Sequence, residues 1–143
     1  MGTVSDNENI YKKPPPGIRP DGKSYRAIIV DDSRAARQIL KQILLSVKFD
    51  VIEEIDNGGA AVEKLKNQNL RVDYLFVDVE MPVLNGVEVV KTVRGALPDC
   101  KIVMVTSHSE REKIEELIKL GINGYIKKPF DRDTVIFKLS GLR

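Results

Sequence analysis

The chain has 143 residues, which suits one compact domain at roughly 100–200 residues per domain and excludes large multidomain enzymes. Lysine and arginine number 23 and aspartate and glutamate 21, so the formal charge of +2 lacks the one-sided basic field of proteins that coat nucleic acid. The single cysteine and single histidine exclude a disulfide within the chain and a four-ligand zinc site of the usual kind. A bound metal would therefore need oxygen ligands.

The N-terminal segment, residues 1–25, is polar and contains the run Pro14-Pro15-Pro16. Because few of its residues can pack into a core, we predict a disordered or extended arm at 1–25 and one folded domain at 26–143. The segment lacks the apolar stretch of a signal peptide, and the apolar runs elsewhere are far shorter than the roughly 20 residues of a membrane span. We expect a cytoplasmic protein without membrane contact.

Short apolar runs alternate with segments of helical periodicity from residue 26 onward, the pattern of βαβ units. The runs predict strands at 27–30, 51–55, 74–77, 102–105 and 125–126. The periodic segments predict helices around 36–47, 60–67, 87–94, 110–120 and 132–139. Ser33 is the expected N-cap of the first helix, and Gly121 is expected to end the fourth.

The character of the predicted strands indicates their order in the sheet. The first, third and fourth are continuously apolar, as strands buried on both faces are, whereas the second carries charge and the fifth is short. Right-handed crossovers with strands 2 and 5 at the edges give the order 2-1-3-4-5. We therefore predict an α/β fold, a doubly wound, five-stranded parallel sheet of flavodoxin-like (βα)5 type.

Polar residues follow the ends of the predicted strands. In such sheets ligands bind beyond the carboxyl ends, at the point where the winding reverses between strands 1 and 3. The residues there are Asp31-Asp32, Asp78, Thr106-Ser107 and Lys127-Lys128-Pro129. We expect three carboxylates, a hydroxyl and an ammonium to converge on this edge, although Asp31-Asp32 taken alone is equally typical of a loop that caps a helix.

The predicted cluster indicates phosphoryl chemistry. Carboxylates held together repel one another unless a cation lies among them, and Mg²⁺ suits an open site of oxygen ligands. A phosphate there would meet the metal, a lysine and a hydroxyl, which together stabilise a phosphoryl group in transfer. No P-loop or G-x-G-x-x-G motif is present, so we expect a protein carboxylate as acceptor, with Asp78 best placed at the end of the central strand.

The motifs at the strand ends resemble those of the receiver domain of two-component response regulators. The likeness extends over residues 26–143 and rests on Asp31-Asp32, the segment 77–86 with Met81-Pro82, Val105-Thr106-Ser107 and the segment 124–130. The resemblance implies that Asp78 is the phospho-acceptor and a metal ligand. It also implies that Asp32 ligates Mg²⁺ directly, that Asp31 does so largely through water, and that the backbone carbonyl of Glu80 completes the protein ligands.

The resemblance also assigns roles to residues of strands 4 and 5. Lys128 would pair with the phosphoryl oxygens, and its peptide bond to Pro129 would be cis. The Thr106 hydroxyl would donate to the phosphoryl group and move on activation. Tyr125 would then swing inward and reshape the face formed by helix 4, strand 5 and helix 5, although plain packing at the sheet edge is the alternative for this ring.

The sequence departs from the usual receiver pattern at several positions. Asn85 replaces the usual Asp before the glycine of the Met-Pro motif and can still cap helix 3. Ser107 stands where Ala is commoner, next to the expected switch threonine. Glu80 and His108 occupy the two positions that tune self-dephosphorylation in this family, so these letters do not give the lifetime of the phosphorylated state.

The function that the resemblance implies is signalling rather than turnover of small molecules. The chain would take a phosphoryl group from a histidine kinase or phosphotransfer protein and switch its binding to a downstream protein, with self-dephosphorylation and a phosphorylation-dependent dimer as open features. It would not bind nucleic acid directly. The end at Arg143 favours a stand-alone receiver of chemotaxis type. The alternatives are a phosphorylation-independent interaction or dimerisation module, a receiver fragment of a longer DNA-binding regulator, and a small-molecule phosphatase using Asp78.

Overall fold

A computed structural model describes residues 14–67, 69–107 and 111–142. Strands and helices alternate along the chain: β1 (Arg26–Val30), α1 (Arg34–Ser46), β2 (Asp50–Ile55), α2 (Gly58–Leu65), β3 (Tyr74–Asp78), α3 (Gly86–Val93), β4 (Lys101–Thr106), α4 (Arg111–Lys119), β5 (Gly124–Lys127) and α5 (Arg132–Ser140). Every predicted element is found, with small shifts at the ends. Within the described ranges, no helix has both the length and the apolar character needed to cross a membrane.

The strands form one parallel sheet in the order β2-β1-β3-β4-β5, which confirms the predicted topology. The three central strands are buried along nearly their whole length because helices cover both faces. Helices α1 and α5 pack on one face, and α2, α3 and α4 pack on the other. The carboxyl ends of β1, β3 and β4 therefore meet at one edge of a rigid core.

Polar side chains begin four of the helices. Ser33, Asn57, Asn85 and Asp131 each accept a hydrogen bond from a backbone N–H in the first turn of α1, α2, α3 and α5. Asn85 accepts from the N–H of Glu88 at 3.0 Å, so its replacement of the usual aspartate keeps the cap. These caps define the residue at which each helix begins.

Residues 14–25 do not form the disordered or extended arm that was predicted for this part of the segment. The N–H of Gly17 donates to the carbonyl of Val47 at 2.8 Å, and the N–H of Tyr25 donates to the carbonyl of Gly17 at 2.7 Å. A Cβ on Gly17 would lie 2.2 Å from the backbone nitrogen of Phe49, so only glycine permits this approach. The prediction was wrong here because proline and glycine content does not distinguish a loose arm from a tight turn. Residues 1–13 lie outside the described residues, and the division of the chain at residue 26 stays a prediction.

An aromatic cluster closes the amino end of the sheet beneath this turn. The rings of Phe49 and Tyr74 pack edge to face with centroids 5.0 Å apart, and Tyr25 meets Tyr74 in the same way at 5.2 Å. Phe76 stacks beside Tyr74 at 6.1 Å. Edge-to-face contacts add to the stabilisation from burial, so this end of the sheet is built for packing.

Candidate functional site

Three carboxylates meet at the carboxyl ends of β1 and β3. Asp31 and Asp32 directly follow β1, and Asp78 is the last residue of β3. One oxygen from each carboxylate lies within 4.8 Å of the other two. Asp31 and Asp78 are buried, with 3% and 5% of their surface exposed, whereas Asp32 is exposed. The predicted convergence of acids at this edge is therefore present.

Asp31 is held by contacts from several elements. Its Oδ1 accepts the backbone N–H of Ser33 at 2.8 Å, and its Oδ2 lies 2.8 Å from the Nζ of Lys128. Its own N–H donates to the carbonyl of Ile55 at 3.0 Å, which continues the pairing of β1 with β2. Both carboxylate oxygens are thus engaged, and the side chain has one orientation.

Asp78 is held less tightly than Asp31. Its Oδ1 accepts the N–H of Glu80 at 3.2 Å, and its Oδ2 lies 3.5 Å from the Nζ of Lys128. A Cβ on Gly86 would lie 2.2 Å from the Asp78 carbonyl oxygen, so the glycine lets α3 begin directly against the backbone of Asp78. The loop between β3 and α3 therefore wraps closely around this residue.

The charges at this edge are not balanced in the metal-free protein. Burial, followed by the neighbouring Asp31 carboxylate, raises the pKa of Asp78 to about 7 despite the nearby Lys128 ammonium. Burial alone would lower the pKa of Lys128, but its hydrogen bond and ion pair with Asp31, joined by Asp78, outweigh this effect and raise the pKa. One lysine does not neutralise this edge, so a second cation would be favoured there.

Thr106 and Lys128 reach the same edge from β4 and β5. Thr106 is buried at the end of β4, and its carbonyl accepts the N–H of Lys128 at 2.7 Å. This bond continues the pairing of Thr106 with Lys127. The peptide bond from Lys128 to Pro129 is cis, as expected. Lys127 ends β5 and Lys128 follows it, and Lys128 is the one of the two that forms ion pairs with the described acids.

A family model for the response regulator receiver domain matches residues 27–140. The chain belongs to this family. The match covers every strand and helix of the sheet domain except Arg26, the first residue of β1, and the strand order and the acidic edge described above agree with it. Receiver domains are phospho-accepting signalling domains, not enzymes that turn over small molecules.

Relatives of this receiver domain include chemotaxis proteins. The chemotaxis protein CheY of Treponema pallidum is 29% identical over 142 residues, which cover 99% of each chain. CheY-3 of Vibrio cholerae is 34% identical over 119 residues, 82% of this chain and 90% of the relative. The transcriptional regulatory protein LnrK of Bacillus subtilis is 37% identical over 112 residues, 78% of this chain but 50% of that protein.

Solved structures share the fold of this receiver domain. A chain from the CheX-CheY-BeF3-Mg complex of Borrelia burgdorferi matches with a TM-score of 0.84 and 27% identity, covering 91% of this chain and 98% of that one. CheY4 of Vibrio cholerae matches with a TM-score of 0.75 and 32% identity, covering 83% of this chain and 98% of that one. The neighbours therefore include chemotaxis proteins whose chains are covered almost completely by the match.

The remaining residues predicted to act in this receiver domain are Tyr125, Glu80 and His108. Tyr125 on β5 is half-buried, and the Nζ of Lys138 on α5 lies 4.8 Å from the centre of its ring. The side chain of Glu80 is exposed beside Asp78. His108 lies outside the described residues. The roles of these residues in switching and dephosphorylation stay predictions.

One side chain that contacts the acidic edge, Arg37, is not among the site residues predicted from the sequence. Arg37 in the first turns of α1 donates from Nη1 to the carbonyl of Asp31 at 2.7 Å. In the sequence it is one of several charged residues on α1, and nothing in the helical period separates it from Arg34. Only the distance between α1 and the end of β1 in the folded chain reveals the contact.

Proposed function

We propose that this protein is a phospho-accepting receiver that takes a phosphoryl group onto Asp78 in a Mg²⁺-dependent reaction. The donor would be a histidine kinase or a histidine phosphotransfer protein, and the result would be altered binding to a downstream protein. The observation that carries the proposal is the crowding of the Asp31, Asp32 and Asp78 carboxylates within 4.8 Å beside Lys128. Two of these carboxylates, those of Asp31 and Asp78, are buried, and such crowding of acids becomes favourable when a cation binds among them.

The residues at the acidic edge fit a magnesium ion. All the side-chain donors are carboxylate oxygens, and burial together with the neighbouring Asp31 carboxylate raises the pKa of Asp78 despite the Lys128 ammonium. Asp31, Asp32 and Asp78 would hold the ion, together with the Glu80 backbone carbonyl that the family resemblance implies. When bound, Mg²⁺ would reduce the repulsion between the negative phosphoryl oxygens and the negative carboxylates.

The chain's own residues would then orient and stabilise the transfer. A carboxylate oxygen of Asp78 attacks the phosphorus atom, the P–N bond to the donor histidine breaks, and the imidazole nitrogen keeps the electron pair. The Glu80 N–H, 3.2 Å from Oδ1, orients the carboxylate. Lys128, anchored 2.8 Å from Asp31, would pair with a phosphoryl oxygen, and the Thr106 hydroxyl would donate to another.

The output of the phosphorylated state would come from the face that contains Tyr125. Movement of Thr106 toward the phosphoryl group would leave space at the end of β4, and Tyr125 would turn inward to fill it. Because Lys138 lies over the Tyr125 ring, this movement would also change the charge pattern presented by α5. A partner protein, or a second copy of the chain in a dimer, would recognise the new surface.

Intact-mass spectrometry after incubation with Mg²⁺ and a small phospho-donor tests the proposal. The wild-type chain and the Asp99→Asn control, which alters an exposed aspartate outside the acidic edge, should each gain the mass of one phosphoryl group. Asp78→Asn should gain none, and chelation of Mg²⁺ should prevent the gain in every variant. Labelling of Asp78→Asn would contradict Asp78 as the acceptor. No labelling of a wild-type chain that binds Mg²⁺ would contradict the proposal and favour a phosphorylation-independent interaction module.

The time course of the same mass tests self-dephosphorylation. We propose that the exposed carboxylate of Glu80 and the side chain of His108 set the lifetime of the phosphorylated form by controlling the approach of water. Glu80→Gln removes one negative charge without changing shape and should change the decay rate, whereas Glu88→Gln, an exposed residue on α3, should not. Equal decay in both variants would remove Glu80 from this role.

A second candidate is a receiver that belongs to a longer transcriptional regulator. It is favoured by the match to LnrK, of which the chain covers 50%. The match to Treponema pallidum CheY over 99% of each chain favours the stand-alone form, which we propose. Immunoblotting of cells that produce the natural protein separates the two, because a stand-alone receiver runs near 16.1 kDa and a regulator runs well above it.

A further inference from the structure

Charged side chains on α1 and β2 form a series of contacts that reaches the acidic edge. The side chain of Arg37 on α1 is largely buried, with 14% of its surface exposed. Its Nη1 donates to the backbone carbonyl of Asp31 at 2.7 Å, and its Nε lies 3.5 Å from Oε1 of Glu54 on β2. The other oxygen of Glu54 lies 3.2 Å from the Nζ of Lys41. Glu54 therefore attracts the Arg37 guanidinium by charge, although among the described residues the Arg37 Nε makes no hydrogen bond.

The contact from Arg37 completes the hydrogen bonding of Asp31. The Asp31 N–H is bonded to Ile55, and its two carboxylate oxygens are engaged by Ser33 and Lys128. Its backbone carbonyl is the remaining polar group, and the guanidinium of Arg37 is the donor that reaches it. A bond from a charged donor is stronger than one between neutral groups, so it fixes the start of the loop that carries Asp31 and Asp32.

We infer that Arg37, oriented by Glu54, is a positioning residue that fixes the β1–α1 loop in the arrangement that captures Mg²⁺. Partners behind metal-binding residues orient those residues, and their loss weakens metal binding. The inference rests on the proposed function, because it concerns the same acidic edge. It assigns a task in metal capture to two residues, Arg37 and Glu54, that lie outside the set predicted from the sequence.

The sign of the effect separates positioning from simple electrostatics. Arg37 carries a positive charge near a site for a cation, so removal of that charge alone would strengthen Mg²⁺ binding. Loss of positioning would weaken binding instead. Lys41 provides the matched control, because it also pairs with Glu54 but has no bond to Asp31 among the contacts of the described residues.

Isothermal titration of the metal-free proteins with Mg²⁺ provides the test. Arg37→Met, which keeps the apolar stem, should raise Kd about 10-fold, and Arg37→Lys should recover part of the loss because it keeps one charged donor. Lys41→Met should leave Kd unchanged within about twofold or lower it slightly, because its ion pair with Glu54 is only part-buried and is partly screened by solvent. Thermal unfolding in the absence of Mg²⁺ should show how much each variant loses in stability alone.

Glu54→Gln tests the second half of the inference. Glu53→Gln is its control, because Glu53 is the preceding residue of β2 and pairs instead with Lys64 at 3.0 Å. Both variants lose one negative charge, so a larger rise in Kd for Glu54→Gln reports the loss of Arg37 orientation. If Arg37→Met does not fold, Arg37→Lys and this pair decide the question.

The outcomes are distinct. Weaker Mg²⁺ binding in Arg37→Met and in Glu54→Gln, relative to Lys41→Met and Glu53→Gln, supports the inference. Equal or tighter binding in Arg37→Met, or equal Kd values in the two glutamate variants, overturns it, even where thermal stability falls. Failure of the wild-type protein to bind Mg²⁺ would overturn the proposed function and this inference together.

Discussion

The two ends of the sheet are built on opposite principles. At the amino end, the turn formed by residues 14–25 is hydrogen-bonded to the carbonyl of Val47, and its Tyr25 ring packs against the rings of Phe49 and Tyr74. At the carboxyl end, three carboxylates crowd together and the pKa of Asp78 rises to about 7. The amino end stabilises the fold, whereas the carboxyl end carries a free-energy cost that a ligand would remove.

Removal of a ring from the amino end should have the largest effect on stability. Phe49 is 3% exposed, and Phe49→Ala should lower the free energy of unfolding by about 3–5 kcal/mol in urea titrations. Phe137→Ala, which truncates an exposed ring on α5, should change it by less than about 0.5 kcal/mol. A strong loss of Mg²⁺ affinity in a folded Phe49→Ala would show that the two ends are not independent.

Removal of the negative charge of Asp78, the proposed phospho-acceptor, should stabilise the metal-free protein. Because the pKa of Asp78 rises from 3.8 to about 7 on folding, the folded state binds more protons than the unfolded state between these values. Stability of the metal-free protein therefore falls as pH rises through this range and stays low above pH 7. Asp78→Asn should raise the free energy of unfolding at about pH 8 by up to about 4 kcal/mol, and the gain should vanish below the unfolded pKa.

Urea unfolding of Asp78→Asn with a chelator across this pH range measures that gain. Asp99→Asn, at an exposed position, should follow the wild-type pH dependence. A metal-free Asp78→Asn that is less stable than wild type at about pH 8 would mean that Lys128 already compensates the acidic edge. The contrast between the two ends of the sheet would then be lost.

The tight turn at the amino end should be sensitive to one added methyl group. In Gly17→Ala the new Cβ would lie 2.2 Å from the backbone nitrogen of Phe49, so the turn must move and the bond to Val47 must lengthen. The expected loss is about 1–3 kcal/mol in chemical unfolding. Gly95→Ala, where a Cβ would meet no atom within 4 Å, should be neutral or slightly stabilising. Equal behaviour of both variants would mean that the turn contributes nothing to stability.

The smallest expected effect concerns the loop that follows the acceptor. Val83 has φ 68°, a left-handed conformation that is unfavourable for a β-branched residue, and its side chain is fully exposed. Val83→Asn should raise the free energy of unfolding by about 1 kcal/mol. Lys48→Asn should give a smaller gain in the free energy of unfolding, because Lys48, which adopts φ 78° just after α1, is not β-branched. A destabilised Val83→Asn would indicate that the valine side chain makes a favourable contact.

The sequence predicts the sheet well because the signals are local. A short apolar run such as 74–77 is typical of a strand buried on both faces, and the two glutamates within 51–55 favour a place at the edge of the sheet. Since parallel strands share one carboxyl edge, the topology alone brings Asp31, Asp78 and Thr106 near one another. The acidic edge therefore follows from strand order without any knowledge of side-chain contacts.

Other features depend on contacts between distant residues and leave no local pattern. Arg37 reaches Asp31 only after α1 packs against β1, and the contact of Lys128 rather than Lys127 with the acids depends on the course of the chain after β5. The turn at residues 14–25 depends on the fit between Gly17 and the backbone at Phe49. The sequence gives the chemical character of these residues, but it does not indicate which distant residues they contact in the folded chain.

Calorimetric titration of the metal-free protein with Mg²⁺ tests most directly whether the crowded acids form a cation site. One ion should bind per wild-type chain at about pH 8, where Asp78 is mostly ionised. Asp32→Asn and Asp78→Asn should each weaken binding severely, and Asp99→Asn should bind as wild type. Absence of Mg²⁺ binding to the wild-type protein, or binding that survives the loss of Asp78, would contradict a receiver that works through this edge.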